Sequence, residues 1–405
     1  MKKIAWASAN MPVLNEIRRK FLKTKPLKNK KVSACLHITP ETANLAITLK
    51  SAGANVFLCA SNPLSTQNEI AYSLKNKFGI LCPSKNSETN SIYYKNLKQA
   101  LTTNPDLVID DGADLISLLH SSYPKKTQKI KGCLEETTTG VIRLLSLEKS
   151  NKLLTPIFAI NNARTKNLFD NRYGTGQSTI DGIIRATNTL LAGKYVVVAG
   201  YGWCGKGLAM RAKGLGAKVI VTEIDPIKAL EAAMDGLEVM PMLRAAALGD
   251  IFCTVTGNIN VITLQHFKKM KNGAIVCNSG HFDVEVDIKS LKKMARSIKK
   301  DIRHHTDEYL LPNNRKIFLL SEGRLVNLSA AEGHPASVMD MSFSTQALTA
   351  EYIFTSRQKF PPRIYYPPKR LEDKIAKLKL ASMGIKIDSL TPEQIKYNLS
   401  WNQGT

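Results

Sequence analysis

The stretch VVVAGYGWCGKG, residues 196–207, decides the fold class. Val196-Val197-Val198-Ala199 is a short apolar run of the kind that forms a buried strand. Gly200, Gly202 and Gly205 follow in GxGxxG spacing and lead into an apolar helix. Glycine permits the tight turn and the close approach of backbone to a pyrophosphate, whose charge then rests on the helix N-terminus. That spacing alone is a weak signal. The next strand, residues 218–222, ends at Glu223, about 20 residues on, where a carboxylate accepts hydrogen bonds from the adenosine ribose of NAD and repels the extra phosphate of NADP. The stretch therefore predicts a βαβ unit that takes NAD.

The same alternation extends in both directions. Upstream, Val32 to Leu36 reads as a buried strand, Thr39-Pro40-Glu41 as a helix start with an N-cap, a proline and an acid, and Gly53 as the stop before the strand Val56 to Ala60. Leu107-Val108-Ile109 repeats the pattern before Asp110-Asp111-Gly112, and Ile251 to Val255 and Ala274 to Cys277 continue the later series. Alternating strands and helices predict an α/β protein with two parallel sheets. Ligands of such sheets gather beyond the carboxyl ends of the strands, where His37, Thr39, Asn62, Ser65, Gln67, Asp110, Asp111, Thr256, Asn258, Ser279, Gly280 and His281 all fall. Met11, Leu14, Ile17 and Phe21 recur at helical spacing and predict one amphipathic N-terminal helix, and Pro361-Pro362 with Pro367-Pro368 predicts an extended surface segment.

With 405 residues the chain has room for two or three domains, and its 43% hydrophobic and 22% charged content excludes a disordered or fibrous protein. Seven scattered cysteines without CxxC spacing indicate neither a disulfide framework nor a zinc site, so no metal is expected and a reducing cytoplasm is. No apolar run reaches the ~18 residues of a membrane span, and the N-terminus lacks a signal-peptide core and reads as part of the mature chain. The net charge of +24 invites a nucleic-acid reading. Residues 1–31 carry ten basic side chains against Glu16 alone and 289–303 are also basic, yet no nucleic-acid motif accompanies them. Residues 132–193, with seven basic and five acidic groups, are near balance. The excess is therefore read as a solvated surface.

Polar density is highest between Gly132 and Arg185, where Glu135, Glu136, Lys166 and Asp170 fit a site or a solvated loop equally well by composition. His37 fits a satisfied core histidine, and Asp110-Asp111 a helix cap. His304-His305, in a basic stretch, reads as exposed and not a ligand.

The strings CLHITPETANLAITL, CASNPLSTQ, IDDGADL, EETTTGVIRL, FDNRYGTGQS, VVVAGYGWCGKG, NSGHFDVEVD, EGRLVNLSAAEGHP and VMDMSF run in order from residue 35 to 343 and resemble the S-adenosyl-L-homocysteine hydrolases. The resemblance implies reversible hydrolysis of S-adenosyl-L-homocysteine to adenosine and homocysteine, with NAD transiently oxidising the ribose 3′-hydroxyl so that the C4′ proton becomes acidic. Elimination, water addition and re-reduction then follow.

It implies that Thr39 and Glu41, closed over by His334 and Met339, hold the adenine. Glu136, Lys166 and Asp170 are placed at the ribose hydroxyls, and Asn62, Ser65 and Gln67 at the homocysteine end. Lys166, helped by Asn171, takes the 3′-hydroxyl proton, which requires an environment that depresses its pKa. Asp111, with Asp170, is the base at C4′, while His37 and His281 move protons at the 5′ position. NAD contacts are implied for Thr137, Thr138, Thr139, Asn171, Gly200, Gly202, Gly205, Glu223, Thr256, Asn258, Ser279, Gly280, His281 and Asn327.

The implied architecture is two Rossmann-like, doubly wound parallel-sheet domains joined by a two-crossing hinge. A substrate domain spans 1–178 and 335–380, an NAD domain 179–334, and a C-terminal arm 381–405, in a cytoplasmic tetramer. Thr175 stands where many members carry cysteine, Lys228 replaces a common asparagine near the NAD ribose, and Glu332 replaces a methionine of the animal members. The final residues, Ser400 to Thr405, lack the lysine and tyrosine that reach a neighbour's NAD in many members, which implies weaker cofactor retention. Two other readings remain. One is a catalytically silent NAD-binding regulatory homologue, which should have lost a catalytic position. The other is a hydroxyacid dehydrogenase, which shares the glycine loop but not EETTTG or FDNRYG.

Overall fold

The computed structural model describes residues 1–402; the end of the terminal stretch, residues 403–405, lies outside them. In chain order the strands are β1 (Lys31–Leu36), β2 (Asn55–Ala60), β3 (Leu107–Asp110), β4 (Gly132–Glu135) and β5 (Ile157–Ala159), then β6 (Tyr195–Ala199), β7 (Lys218–Thr222), β8 (Glu238–Val239), β9 (Ile251–Thr254), β10 (Ala274–Asn278), β11 (Ser297–Arg303), β12 (Thr306–Leu310), β13 (Lys316–Leu320) and β14 (Ile364–Tyr365). They build two sheets. The first has the order β14-β5-β4-β3-β1-β2 and is parallel throughout. The second has the order β11-β12-β13-β10-β9-β6-β7-β8.

The second sheet corrects the expectation of a purely parallel one. Strand β12 runs antiparallel to both of its neighbours, β11 and β13, at its edge. Short connections allow this, since antiparallel strands need only a tight turn whereas parallel ones need a crossover. His304-His305 is the two-residue turn between β11 and β12, with His305 at φ 65°, so the pair serves the hairpin. Every residue of β11 is exposed, which places the basic charge of this stretch on the surface.

Period-2 alternation explains why both sheets are covered on both faces. Val196 and Val198 face a cluster with Leu208, Val221 and Val326, while Val197 faces Phe252, Phe267 and Tyr309. In the first sheet Ala34 and Leu36 pack with Leu45, Leu134 and Phe158, and Cys35 with Val108, Leu115 and Leu144.

Met11, Leu14, Ile17 and Phe21 are all buried, but the N-terminal segment is two helices, Lys2–Ala9 and Pro12–Thr24. Pro12 has no N–H to continue the first helix and instead starts the second. The proline-rich segment is also more than a surface strand: Ile364–Tyr365 pairs with β5, and Tyr365 stacks on Phe158 with ring centroids 5.2 Å apart.

The 20-residue helix Ala336–Thr355 returns the chain from the second sheet to the first. Its fully buried Asp340 accepts hydrogen bonds from the backbone of Leu14 at 2.8 Å and Val13 at 3.3 Å, and pairs with Lys379 at 2.9 Å. A buried carboxylate survives only with such partners. This one clamps the helix Pro12–Thr24 and the helix Lys369–Ser382 onto Ala336–Thr355.

Candidate active site

The carboxyl ends of β1, β3 and β4 face those of β6, β7, β9 and β10 across one cavity of 1410 Å³. That exceeds the ~300–1,000 Å³ typical of a single small-ligand pocket, and suits a dinucleotide together with a second ligand.

Two acidic pairs divide their work in the same way. Asp110, at the end of β3, is fully buried and accepts from the backbone of Asp111 at 3.0 Å and Ile116 at 2.8 Å, so it shapes the turn. Asp111 faces the cavity. Glu135, at the end of β4, accepts from Gly112 N at 2.9 Å and Thr137 N at 3.0 Å, while Glu136 faces the cavity. Burial pushes the Asp110 carboxyl up to about 7 and raises Glu135 well above the ordinary carboxylate range.

Around Asp111 stand two histidines. His37 Nε2 lies 3.4 Å from Asp111 Oδ2, and His281 Nδ1 lies 3.9 Å from Asp111 Oδ1. The three ligand atoms converge within 4.8 Å, a cluster that sequence spacing could not show. His37 Nδ1 meets Ser65 Oγ at 2.6 Å, and that hydroxyl gives its proton to Asn62 O at 3.0 Å. The Nδ1 proton is thereby fixed, leaving Nε2 to face the cavity. Burial pushes His37 down to about 4, and lowers His281 as well, against the opposing pull of Asp111.

The sign of the resulting pH effect follows from linkage. Between pH 4 and 6.5 the unfolded chain protonates His37 and the folded chain does not, so stability is lost as pH falls through that window. A loss of about 2 kcal/mol by pH 5 is expected from this group. Thermal unfolding of wild type and His37→Gln at pH 7 and pH 5 checks it: the variant should lose less stability on acidification, and equal losses would rule the assignment out.

The second cluster lies on a π-helical segment, Asn167–Gly174, whose wide turn follows Lys166. Such segments concentrate at functional sites. Lys166 pairs with Asp170 at 3.0 Å, lies 3.8 Å from Glu136, and donates to Asn171 Oδ1 at 2.6 Å and Asn161 Oδ1 at 3.3 Å. Burial works against its charge, but Asp170 and Glu136 overcome that and hold the ammonium above the ordinary lysine range. The depressed pKa expected for a free-amine base is therefore corrected: these carboxylates stabilise the charged form. Glu136 itself is pushed up to about 7 by burial, opposed by Lys166, and it accepts from Ser342 Oγ and Gln346 Nε2 of the returning helix. His334 Nδ1 donates to Asp170, and its Nε2 meets Asn327 Nδ2 at 3.0 Å and Thr175 Oγ1 at 3.4 Å.

On the opposite wall the glycine loop is shaped for a phosphate. Gly200 has φ 101°, a Cβ on Gly205 would sit 1.9 Å from Gly200 O, and a Cβ on Gly202 would meet open space. The helix Trp203–Gly214 starts there, with its first amides directed at the cleft. Glu223 is held by the amides of Tyr201 at 2.6 Å and Ile224 at 2.7 Å, and lines the cavity with lone pairs to spare. Thr139 Oγ1 and Asn327 Oδ1 are buried without a hydrogen-bond partner among the described residues, as expected of groups that await a ligand.

The cavity thus collects His37, Thr39, Glu41, Asp111, Glu136, Thr137, Thr138, Thr139, Lys166, Asp170, Asn171, Gly200, Gly202, Glu223, Thr256, Asn258, Ser279, Gly280, His281, Asn327, His334 and Met339. Gly205 supports the loop from behind. Asn62, Ser65 and Gln67 do not line it: Ser65 holds His37 from the rear, Asn62 accepts from Leu64 N at 2.9 Å, and Gln67 Oε1 is buried without a partner. Thr175 and Lys228 both line the cavity, while Glu332 lies outside it and its charge raises Glu41 behind the larger effect of burial.

Sequence models of S-adenosyl-L-homocysteine hydrolase match residues 1–124, and of its NAD binding domain residues 171–333. The chain is 60% identical over 405 residues to the adenosylhomocysteinase of Aquifex aeolicus (strain VF5), covering 100% of this chain and 97% of that one. The chain belongs to the S-adenosyl-L-homocysteine hydrolase family. It is also 54% identical over 404 residues to the adenosylhomocysteinase of Gloeobacter violaceus (strain ATCC 29082 / PCC 7421), covering 100% and 94%. To the S-inosyl-L-homocysteine hydrolase of Methanocaldococcus jannaschii (strain ATCC 43067 / DSM 2661 / JAL-1 / JCM 10045 / NBRC 100440) it is again 54% identical over 404 residues, covering 100% and 97%. The cofactor of this S-adenosyl-L-homocysteine hydrolase family member is NAD, and the glycine loop, Glu223 and the unpartnered Thr139 Oγ1 and Asn327 Oδ1 fit it.

Several residues that shape the site were not singled out from the sequence, although Arg143, Ser342 and Gly207 lie inside the strings quoted above. Ser342 and Gln346 set Glu136, Arg143 donates to Gly112 O and to Asp114 at 2.7 Å, and Gly207 packs on Arg172.

Proposed function

We propose that this protein hydrolyses S-adenosyl-L-homocysteine reversibly to adenosine and homocysteine. The observation that carries the reading is the convergence of Asp111 between two histidines, and of Lys166 among Glu136, Asp170 and Asn171, in one cavity with the glycine loop. NAD, when bound, supplies a hydride acceptor that is regenerated by the end of the cycle. Lys166, held as an ammonium, stabilises the 3′ oxygen as it loses its proton, and Glu136, the carboxylate of this cluster that is pushed up to about 7, receives that proton. Asp111 removes the C4′ proton. The proton taken by Asp111 passes to the adjacent imidazoles, His37 through its free Nε2 and His281, and from them to the departing thiolate. The same groups, neutral again, then take a proton from water at the 5′ position, and Asp111 returns it to C4′.

Thr39, Glu41, His334 and Met339 surround the base. A carboxylate accepts and does not donate, which suits the exocyclic amine of adenine; hypoxanthine lacks that amine. Residues 1–178 with 335–380 form the substrate domain in this reading, 179–334 the NAD domain, and 381–405 an arm for a cytoplasmic tetramer. Among the described residues no helix is long and apolar enough to cross a membrane.

The test is condensation in the reverse direction. Purified protein with NAD confirmed bound should join adenosine and homocysteine, and should act on inosine at least about a hundredfold more slowly, the scale of a lost buried polar contact. Product from inosine alone would reassign the base. No product from either nucleoside would favour the silent regulatory homologue, and net release of NADH the dehydrogenase.

A further inference from the structure

Glu285 is 1% exposed, lies outside the cavity lining, and has no part in the mechanism above. Its carboxylate nevertheless organises the wall of the cofactor cleft. Oε2 accepts from Thr256 N at 2.9 Å and Thr256 Oγ1 at 2.7 Å, and Oε1 accepts from Gly257 N at 2.8 Å. Thr256 Oγ1 in turn accepts from Asn258 N at 3.0 Å. Three donors on one buried carboxylate favour its ionised form, although burial raises its pKa. The same group lies against the neighbouring loop: a Cβ on Gly280 would lie 1.7 Å from Glu285 Oε1, so a side chain there would displace the carboxylate. Glu285 therefore ties the loop after β9 to the loop after β10, immediately before His281.

The position of this charge along the cleft follows from the two ends of the site. Glu223 marks the adenosine-ribose end, while Asp111, Lys166 and His281 mark the end where the substrate ribose is oxidised. The redox ring has to reach the second end. The loop that Glu285 holds is there, since a Cβ on Gly257 would lie 3.1 Å from Thr139 Cγ2 on the opposite wall. A buried negative charge beside a ring that is cationic when oxidised and neutral when reduced stabilises the oxidised form preferentially.

We propose that Glu285 is a positioning residue that sets the Thr256–Gly257–Asn258 loop for NAD and whose negative charge biases the site toward the oxidised cofactor. This rests on the NAD-dependent reading of the site.

The experiment measures NAD⁺ and NADH affinities of cofactor-stripped wild type, Glu285→Gln and Glu285→Asp by titration, with thermal unfolding of each stripped protein. Glu285→Gln is expected to weaken NAD⁺ about tenfold and NADH about threefold or less, moving the affinity ratio toward NADH by at least about threefold. Glu285→Asp, which keeps the charge, should weaken both forms and leave the ratio as in wild type. Equal weakening of both forms by Glu285→Gln overturns the electrostatic half, and affinities within twofold of wild type overturn the whole. If Glu285→Gln does not fold, Thr256→Val leaves the carboxylate charged and removes one donor. It is expected to weaken both forms about equally, and unchanged affinity overturns the positioning role. Wild type that binds neither nucleotide overturns the NAD-dependent reading itself, an outcome distinct from variants that bind as well as wild type.

Discussion

Asp111→Asn is expected to lower kcat by about a thousandfold while leaving substrate oxidation in place, because loss of one positioned general base costs about 10²–10⁴. Asparagine keeps the shape and the turn, which Asp110 and Glu135 hold independently through the amides of Asp111, Ile116 and Gly112. What disappears is the acceptor for the C4′ proton. The variant should therefore stop at the 3′-keto sugar, with the near-ultraviolet absorbance of bound NADH appearing on mixing and neither adenosine nor homocysteine released. Exchange of the substrate C4′ hydrogen with solvent deuterium gives a second check. Exchange at the wild-type rate would show that another group removes this proton and would end the assignment. The two histidines report as well. Asp111 holds both upward against burial, so its neutralisation lowers them further, and the acid limb of any residual activity should move to lower pH.

Gly207→Ala is expected to lower stability by more than about 3 kcal/mol and to strip the protein of NAD, an effect at the upper end of overpacking. A Cβ there would lie 1.7 Å from the carbonyl oxygen of Arg172, and Gly176 meets the same position from the other side, its own Cβ 2.5 Å from the Gly207 backbone. Gly207 is the point where the helix Trp203–Gly214 crosses the segment Asn167–Gly174 and the start of the helix Thr175–Thr187. Backbone on both sides leaves no flexible side chain to yield. Pushing these segments apart also separates the glycine loop from Asp170 and Asn171, so cofactor retention and activity should fall together. The measurement is the melting temperature with the NAD and NADH released on denaturation. A melting temperature and cofactor content equal to wild type would refute the packing argument.

The boundary of what was legible follows the range of the physics. Strand ends, the Thr39 start of the helix Pro40–Ser51 and the glycine turn depend on neighbours within a few residues, and they were readable. The antiparallel edge β11-β12-β13 was not, because its pairing partners are set by the sheet and not by local hydrophobic alternation. The doublets Asp110-Asp111 and Glu135-Glu136 show the limit most clearly. Adjacent carboxylates are chemically alike on paper, and only the direction each takes at the strand end makes one a buried turn-former and the other a group that faces the cavity. Asn62, Ser65 and Gln67 fell on the strand end but do not line the cavity, and Ser65 instead fixes the His37 tautomer.

The protonation of Lys166 was also beyond the reach of sequence. Burial alone lowers a lysine pKa, so a buried lysine in a polar string suggests a neutral base. The outcome reverses because Asp170 at 3.0 Å and Glu136 at 3.8 Å are both within Coulombic range, and Glu136 is placed there by Ser342 and Gln346 from some 200 residues later in the chain.

By itself, then, the sequence determined the α/β alternation, the glycine turn followed by Glu223, and the family, since these depend on local periodicity, on glycine at required backbone positions and on long matching strings. Only the tertiary structure decided which charges face the cavity, which histidine nitrogen is free, and that Lys166 is held as an ammonium. Those properties depend on groups distant in the chain and on burial, both of which arise only when the two sheets close on a shared site.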